Sequence, residues 1–104
     1  MKQLFYVYKT EKLLKIRLHY DEKQDSIQSI FISGDFFLYP EETLEIIEQN
    51  LVGVMAQEEA IKHKVIQSLA GSQPFGFNAC SLTTAILLCL QQYHKERRGE
   101  VKES

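Results

Sequence analysis

The side chains able to do covalent or metal chemistry in this chain are few and far apart. His19, His63 and His94 lack the His-x-x-x-His spacing that places two imidazoles on one helix face. A zinc site would therefore have to be assembled from distant elements. Cys80 and Cys89 form no Cys-x-x-Cys pair. Cys80 stands near an expected helix start, where the helix dipole lowers a thiol pKa and favours a nucleophile. The plainer reading, a small half-buried residue, outweighs it. Ser33 and Ser81 have no evident His and Asp partners and read as a strand-end and a cap residue. Glu41 and Glu42 are adjacent, so they point apart on a helix and suit its positive end better than paired acid–base work. The glycines, at 34, 53, 71, 76 and 99, are scattered and make no phosphate loop.

One short segment departs from this pattern. Ser33-Gly34-Asp35-Phe36-Phe37 closes an alternating apolar stretch just before a helix start. Gly34 can take a positive φ or admit another backbone at close range. Asp35 can bond nearby amides. Two adjacent aromatics in extended chain face opposite ways, so one of Phe36 and Phe37 is expected to plug the core and the other to face out.

The elements that must position this segment follow from period and punctuation. Leu4 to Tyr8 reads as a short aromatic strand. After the polar turn Lys9 to Lys12, Leu14, Ile16, Leu18 and Tyr20 alternate with Lys15, Arg17 and His19, a strand with one wet face. Residues 21–26 make a charged hairpin loop. Ile27, Ile30 and Ile32 follow, and a bulge between 27 and 30 would restore their inward set. The three segments form an antiparallel meander. Pro40 fits the first position of a helix whose stripe is Leu44, Ile47 and Leu51, with Gly53 as its left-handed stop. Glu58 and Glu59 open a second helix, striped by Ile61, Val65, Ile66 and Leu69 and ended at Gly71. Residues 72–78 read as a connector containing Phe75 and Phe77. Asn78 or Ser81 caps a third helix running to about Arg98, with Leu82, Ile86, Cys89, Leu90 and Tyr93 on one side. Strands first and helices after predict an α+β fold, a three-stranded sheet with about three helices on one face.

Bulk properties narrow the function. The chain has 104 residues, 44% of them hydrophobic, enough for one core and one domain. Stability on the order of 5–10 kcal/mol is expected for that size. With 12 basic and 14 acidic residues the formal charge is −2, which gives no general attraction to nucleic acid or anionic lipid. Residues 1–95 read as the domain and 96–104 as a charged tail. Nucleic-acid contact by Lys95, Arg97 and Arg98 is a minor alternative. The run Ala85 to Leu90 is far short of a membrane span, and Met1-Lys2-Gln3 leads into strand pattern without a signal-peptide core. Cys80 and Cys89 on one helix lie on opposite sides, about 13 Å apart along its axis, too far to bridge. Reduced thiols and a cytoplasmic address are expected.

Ile30-Phe31-Ile32-Ser33-Gly34-Asp35-Phe36-Phe37, followed by Pro40 and an acidic amphipathic helix ending in Leu51-Val52-Gly53, resembles the C-terminal accessory domain of lipoate–protein ligases. Upstream, the Lys9–Lys12 turn running into Leu13-Leu14-Lys15-Ile16 and a charged hairpin agrees. Downstream, a Gly/Phe connector and a last helix opening near Ser81 follow the family's order. The resemblance covers residues 8–93. It implies that a separate catalytic domain, with its Arg-Arg and Gly-rich loop and active-site lysine, holds lipoate, ATP and magnesium; no such residue can be placed here, so none of the family's catalytic residues carries over. In some organisms, archaea especially, the accessory part is its own chain, and the opening methionine suits a natural chain of that kind. The implied role is to dock on the catalytic subunit and complete the state that converts lipoate to lipoyl-adenylate, which then modifies a lysine on carrier domains. In fold alone the domain also resembles sulfur-acceptor and iron–sulfur scaffold proteins, although their cysteine set is missing.

Within this frame Gly34, Asp35, the outward ring of Phe36 or Phe37, and Lys12 are the expected partner-binding face, since exposed aromatic area beside charge is the composition of an interface anchor. The broad apolar side of the last helix, Leu82 to Tyr93, is a second candidate surface, with burial against the sheet the favoured reading. The competing functions are a free-standing scaffold of the same fold, in sulfur delivery or acyl-protein docking, and an independent enzyme using Cys80.

Overall fold

A computed structural model describes the backbone of residues 2–9 and 12–103 and the side chains of residues 2–9 and 12–93. Its order is β1 (Lys2–Lys9), β2 (Leu13–Asp21), β3 (Ser26–Gly34), β4 (Phe37–Tyr39), α1 (Thr43–Leu51), α2 (Glu58–Leu69), β5 (Gln73–Phe75) and α3 (Ala79–Glu103). Strands β1, β2 and β3 pair antiparallel in chain order, as the meander expectation requires. Along β2 the four alternating residues Leu14, Ile16, Leu18 and Tyr20 are all buried, while Lys15 and Arg17 are exposed. The expected bulge is present: Tyr20 pairs with Ile27 and His19 with Ser29, which leaves Gln28 as the extra residue and returns Ile30 and Ile32 to the inner face.

The helices cover that inner face. α3 lies against β1 and β2, α1 against β3, and α2 against both other helices. Ile47 and Leu51 of α1, Ile61 and Val65 of α2, and Leu82, Ile86 and Cys89 of α3 are fully enclosed. Removal of each such side chain from water contributes roughly 1.5–3 kcal/mol. Leu82, Ile86, Cys89 and Leu90 of α3 are thus core, the favoured reading of that side, while Leu87 and Tyr93 are partly buried at its margin. Burial pushes the Cys89 thiol up to about 12; its S–H points at the Ile16 carbonyl, 3.7 Å away. Cys80 lies on the exposed side of α3, not half-buried as its size suggested. The loop after α1 seals the edge of β3: Ile27 donates to the Val54 carbonyl and Gly53 to the Ile27 carbonyl. Farther along, Glu48 accepts the outward Ile32 N–H at 2.8 Å. An open edge invites pairing with another chain, and these bonds close it. Burial raises the Glu48 pKa above the usual carboxylate range, against the lowering effect of that N–H.

Several local expectations change. α1 begins at Thr43, not at Pro40, because Tyr39 is still paired in β4 and residues 40–42 must turn the chain; Thr43 N–H bonds back to the Pro40 carbonyl. Ile66 is exposed, and Ser68 takes the buried place in the α2 stripe, held by hydrogen bonds to the Lys64 carbonyl and from the Asn50 amide. The connector at 72–78 contains β5, which pairs with β4 in a separate two-stranded ribbon. Asn78 rather than Ser81 caps α3; its side chain accepts the Ser81 N–H while Ser81 Oγ accepts the Asn78 N–H. α3 continues to Glu103, past the end expected near Arg98. The side chains of the proposed tail 96–104, including Arg97 and Arg98, lie outside the described residues, as do those of His94 and Lys95.

Candidate functional site

The Ser33–Phe37 segment links the sheet to the ribbon, and its glycine is required by geometry. Gly34 closes β3 opposite Leu14 with φ +145°. A Cβ there would stand 2.1 Å from the Leu13 carbonyl oxygen, so a side chain cannot be accommodated without moving the backbone. The same carbonyl accepts the Asp35 N–H at 3.0 Å. That bond fixes where the chain leaves the sheet and aims the two phenylalanines.

Their environments differ. Phe36 is half-buried and sets its ring edge against Phe77, with centroids 4.9 Å apart at 66°. Phe37 is 59% exposed. Phe37 is therefore the outward ring, and Phe36 belongs to the rim of the core.

The ribbon multiplies this exposed area. Phe37 pairs with Phe75, Leu38 with Pro74 and Tyr39 with Gln73. Cross-strand partners share a face and the side alternates along each strand. Leu38 consequently turns inward, and Phe37, Tyr39 (62% exposed) and Phe75 (56% exposed) stand together on the outer side. Beside them Phe36, Phe37, Leu38, Glu41 and Leu44 line a notch of about 210 Å³. Three exposed rings next to a shallow pocket have the composition of a protein-docking anchor.

Lys12 joins the same neighbourhood. A Cβ placed on Gly76 would fall 2.7 Å from Lys12 Cγ and 3.4 Å from Phe36 Cβ, so the lysine stem, the Gly76 backbone and Phe36 meet closely. Of the residues expected at a partner face, Gly34, Asp35, Phe37 and Lys12 are exposed and Phe36 is half-buried. Tyr39 and Phe75 were not anticipated. Phe37-x-Tyr39 carries a period-two signal, but strands of three residues are too short for periodicity to declare. Phe75 and Phe77 share that spacing yet part company, because Gly76 at φ +94° turns the chain between them and leaves Phe77 only 8% exposed.

A larger cleft, about 500 Å³, lies elsewhere, between Tyr20, Asp25, Glu58, Leu87 and Tyr93. Tyr20 donates to Asp25 there, and burial first, then that bond, pushes its phenol up to about 12. None of Gly34, Asp35, Phe36, Phe37 and Lys12 lines it, whereas Leu87, Leu90 and Tyr93 of the second candidate surface, on α3, do. Among the described residues, no group of three or more His, Cys, Asp and Glu is placed to hold a metal ion, and no helix is long and apolar enough to cross a membrane.

The family model for the C-terminus of bacterial lipoate protein ligases matches residues 9–86. A solved structure of an archaeal lipoylation system from Thermoplasma acidophilum, a bipartite lipoate protein ligase and its E2 lipoyl domain, includes a chain that superimposes with a TM-score of 0.68 at 25% identity. The match covers 82% of the present chain and 97% of the archaeal one. No curated protein matches the sequence.

Proposed function

This chain belongs to the family of lipoate protein ligase C-terminal domains, and from that premise we propose that it is the non-catalytic accessory subunit of a two-part ligase. It docks on a catalytic subunit that holds lipoate, ATP and magnesium, and it completes the state that converts lipoate to lipoyl-adenylate for transfer to a carrier-domain lysine. The observation that carries this reading is the ribbon: Phe37, Tyr39 and Phe75 are held out of the core by strand pairing, beside Gly34, Asp35 and Lys12. The bipartite organisation of the archaeal ligase to which the chain is similar supports a separate catalytic partner. The site of action is the cytoplasm.

The contribution to catalysis is positional. An acyl-adenylate is destroyed by water, and a docked domain protects it by ordering loops over it and excluding solvent. Burying one phenyl ring of the ribbon in a partner contributes roughly 1.5–3 kcal/mol to association. The experiment is lipoate-dependent pyrophosphate release by a catalytic domain from the same cell, with and without this chain. Stimulation by wild type and its loss with Phe37→Ala are expected. Absence of stimulation refutes the reading, as does turnover by this chain unaided.

A further inference from the structure

The two edges of the β1–β3 sheet differ. Glu48 and the loop after α1 occupy the β3 edge. β1, at the other edge, has 8 residues, pairs with β2 without a bulge and contains no proline. The alternation of the ladder fixes which of its groups point outward. Ile32 sends its N–H to Glu48, away from β2, so its partner Ile16 bonds towards β1, to Tyr6. β1 therefore binds β2 through Lys2, Leu4, Tyr6 and Tyr8, and it directs the N–H and C=O groups of Gln3, Phe5, Val7 and Lys9 at the open edge. The Leu13 carbonyl, which accepts the Asp35 N–H on the β3 side, obeys the same alternation. Among the described residues, no main-chain bond from outside the sheet reaches those four. Phe5 and Val7 are exposed, and Tyr6 and Tyr8 are only partly buried at the margin of the core. An edge this long and apolar is a template for strand addition.

We infer that β1 pairs antiparallel with β1 of a second copy of this chain, joining two three-stranded sheets into one. Self-complementarity selects this occupant, and every residue of the pairing is this chain's own. A two-fold axis normal to the sheet keeps the helices of both copies on one side, so residues opposite one another must share a face. That rule excludes the alignment of Lys2 with the other copy's Lys9. Among the permitted alignments, the one that sets Tyr6 opposite itself uses the whole edge. Gln3 then faces Lys9 and Phe5 faces Val7, and the four outward N–H groups of each copy meet the four outward carbonyls of the other. Phe5 with Val7 is a favourable aromatic and β-branched pair, and no like charges stand opposite. On the helix side Leu4 faces Tyr8, which covers more of both tyrosines. The accessory role, by contrast, is carried by the ribbon and by the family match at residues 9–86, and it makes no use of this strand. One strand pair is a small interface, so a weak dimer is expected, with a Kd on the order of 10 μM.

Sedimentation equilibrium of the full chain, at concentrations either side of that value, tests the pairing, with amide hydrogen exchange as a second reading. Wild type is expected to pass from monomer to dimer as concentration rises. The Gln3, Phe5, Val7 and Lys9 amides should gain protection as it does, while those of Leu4, Tyr6 and Tyr8 are protected throughout. Val7→Pro removes an edge donor and no bond to β2, and it should stay monomeric with unchanged far-UV circular dichroism. Gln3 reads the register: Gln3→Glu, set against Lys9, should tighten the dimer about threefold to tenfold, and Gln3→Lys should weaken it as much. A wild-type chain that is monomeric throughout overturns the inference, as does a folded Val7→Pro chain that still dimerises. Should Val7→Pro unfold, the two Gln3 variants decide, and equal dissociation constants for them overturn the pairing. Protection of the edge amides that appears only when a catalytic subunit is added would give the edge to that subunit and overturn the inference too. None of these results bears on the accessory role, which pyrophosphate release judges separately.

Discussion

Along β2, Leu14, Ile16, Leu18 and Tyr20 are all buried beneath the helices, whereas along β4 and β5 Phe37, Tyr39 and Phe75 all stay exposed. Both regions obey the same pleat. The sheet spends its larger apolar set on the core, with three helices to cover it, and the ribbon buries Leu38 while leaving its largest side chains in water. Covering an exposed phenyl ring is favourable, so an arrangement that holds three of them outward by main-chain pairing is suited to a surface that another protein covers.

Substitutions can break or sharpen this contrast. The largest effect is expected at the buried ring of the region: Phe77→Ala should cost about 3–5 kcal/mol in denaturant unfolding. Phe37→Ala should leave the unfolding midpoint nearly unchanged. Equal destabilisation by the two would show that the ribbon is core after all. Gly34→Ala comes next, with about 3 kcal/mol or more lost, because the added methyl meets the Leu13 carbonyl as well as an unfavourable φ. Gly53→Ala, where φ is +84° but the space is open, should cost only about 1 kcal/mol.

Phe37→Ala and Phe75→Ala should each weaken association with a catalytic subunit about 10- to 100-fold, read by titration calorimetry, without changing far-UV circular dichroism. The smallest effect belongs to the sheet edge. Because the pKa of Glu48 is raised in the folded state, the fold binds that proton more tightly than the unfolded chain does. Its contribution to stability is therefore most favourable below the usual carboxylate range and is lost as pH rises through the folded value. Glu48→Gln keeps an acceptor for the Ile32 N–H and should remove that part of the pH dependence, seen by comparing unfolding midpoints at acid and neutral pH.

Much of the fold was legible because its signals are long. Seven residues of strict alternation in β2, Leu14 to Tyr20, the interrupted isoleucine spacing of β3 and the stripe of α3 each state a period and a buried side. The ribbon was not, since β4 and β5 have three residues each and depend on a pairing between segments far apart in sequence. Propensity misplaced the start of α1 for the same reason: Pro40 is a good first helical residue, but the tertiary pairing of Tyr39 overrides it. The docking candidates were partly legible. Gly34 and Asp35 announced a turn, and adjacency required that one of Phe36 and Phe37 face out. Which ring did so depended on Phe77 reaching Phe36 across the Gly76 turn, and Phe75 and Tyr39 became visible only with the ribbon.

The central claim is that this domain acts by covering another subunit's reaction through the ribbon. Lipoate-dependent pyrophosphate release, measured with a ligase catalytic domain alone, with the wild-type chain and with the Phe37→Ala chain, tests it most directly. Strong release only with wild type is predicted. Equal release in all three mixtures, or release by the chain without its partner, would contradict it.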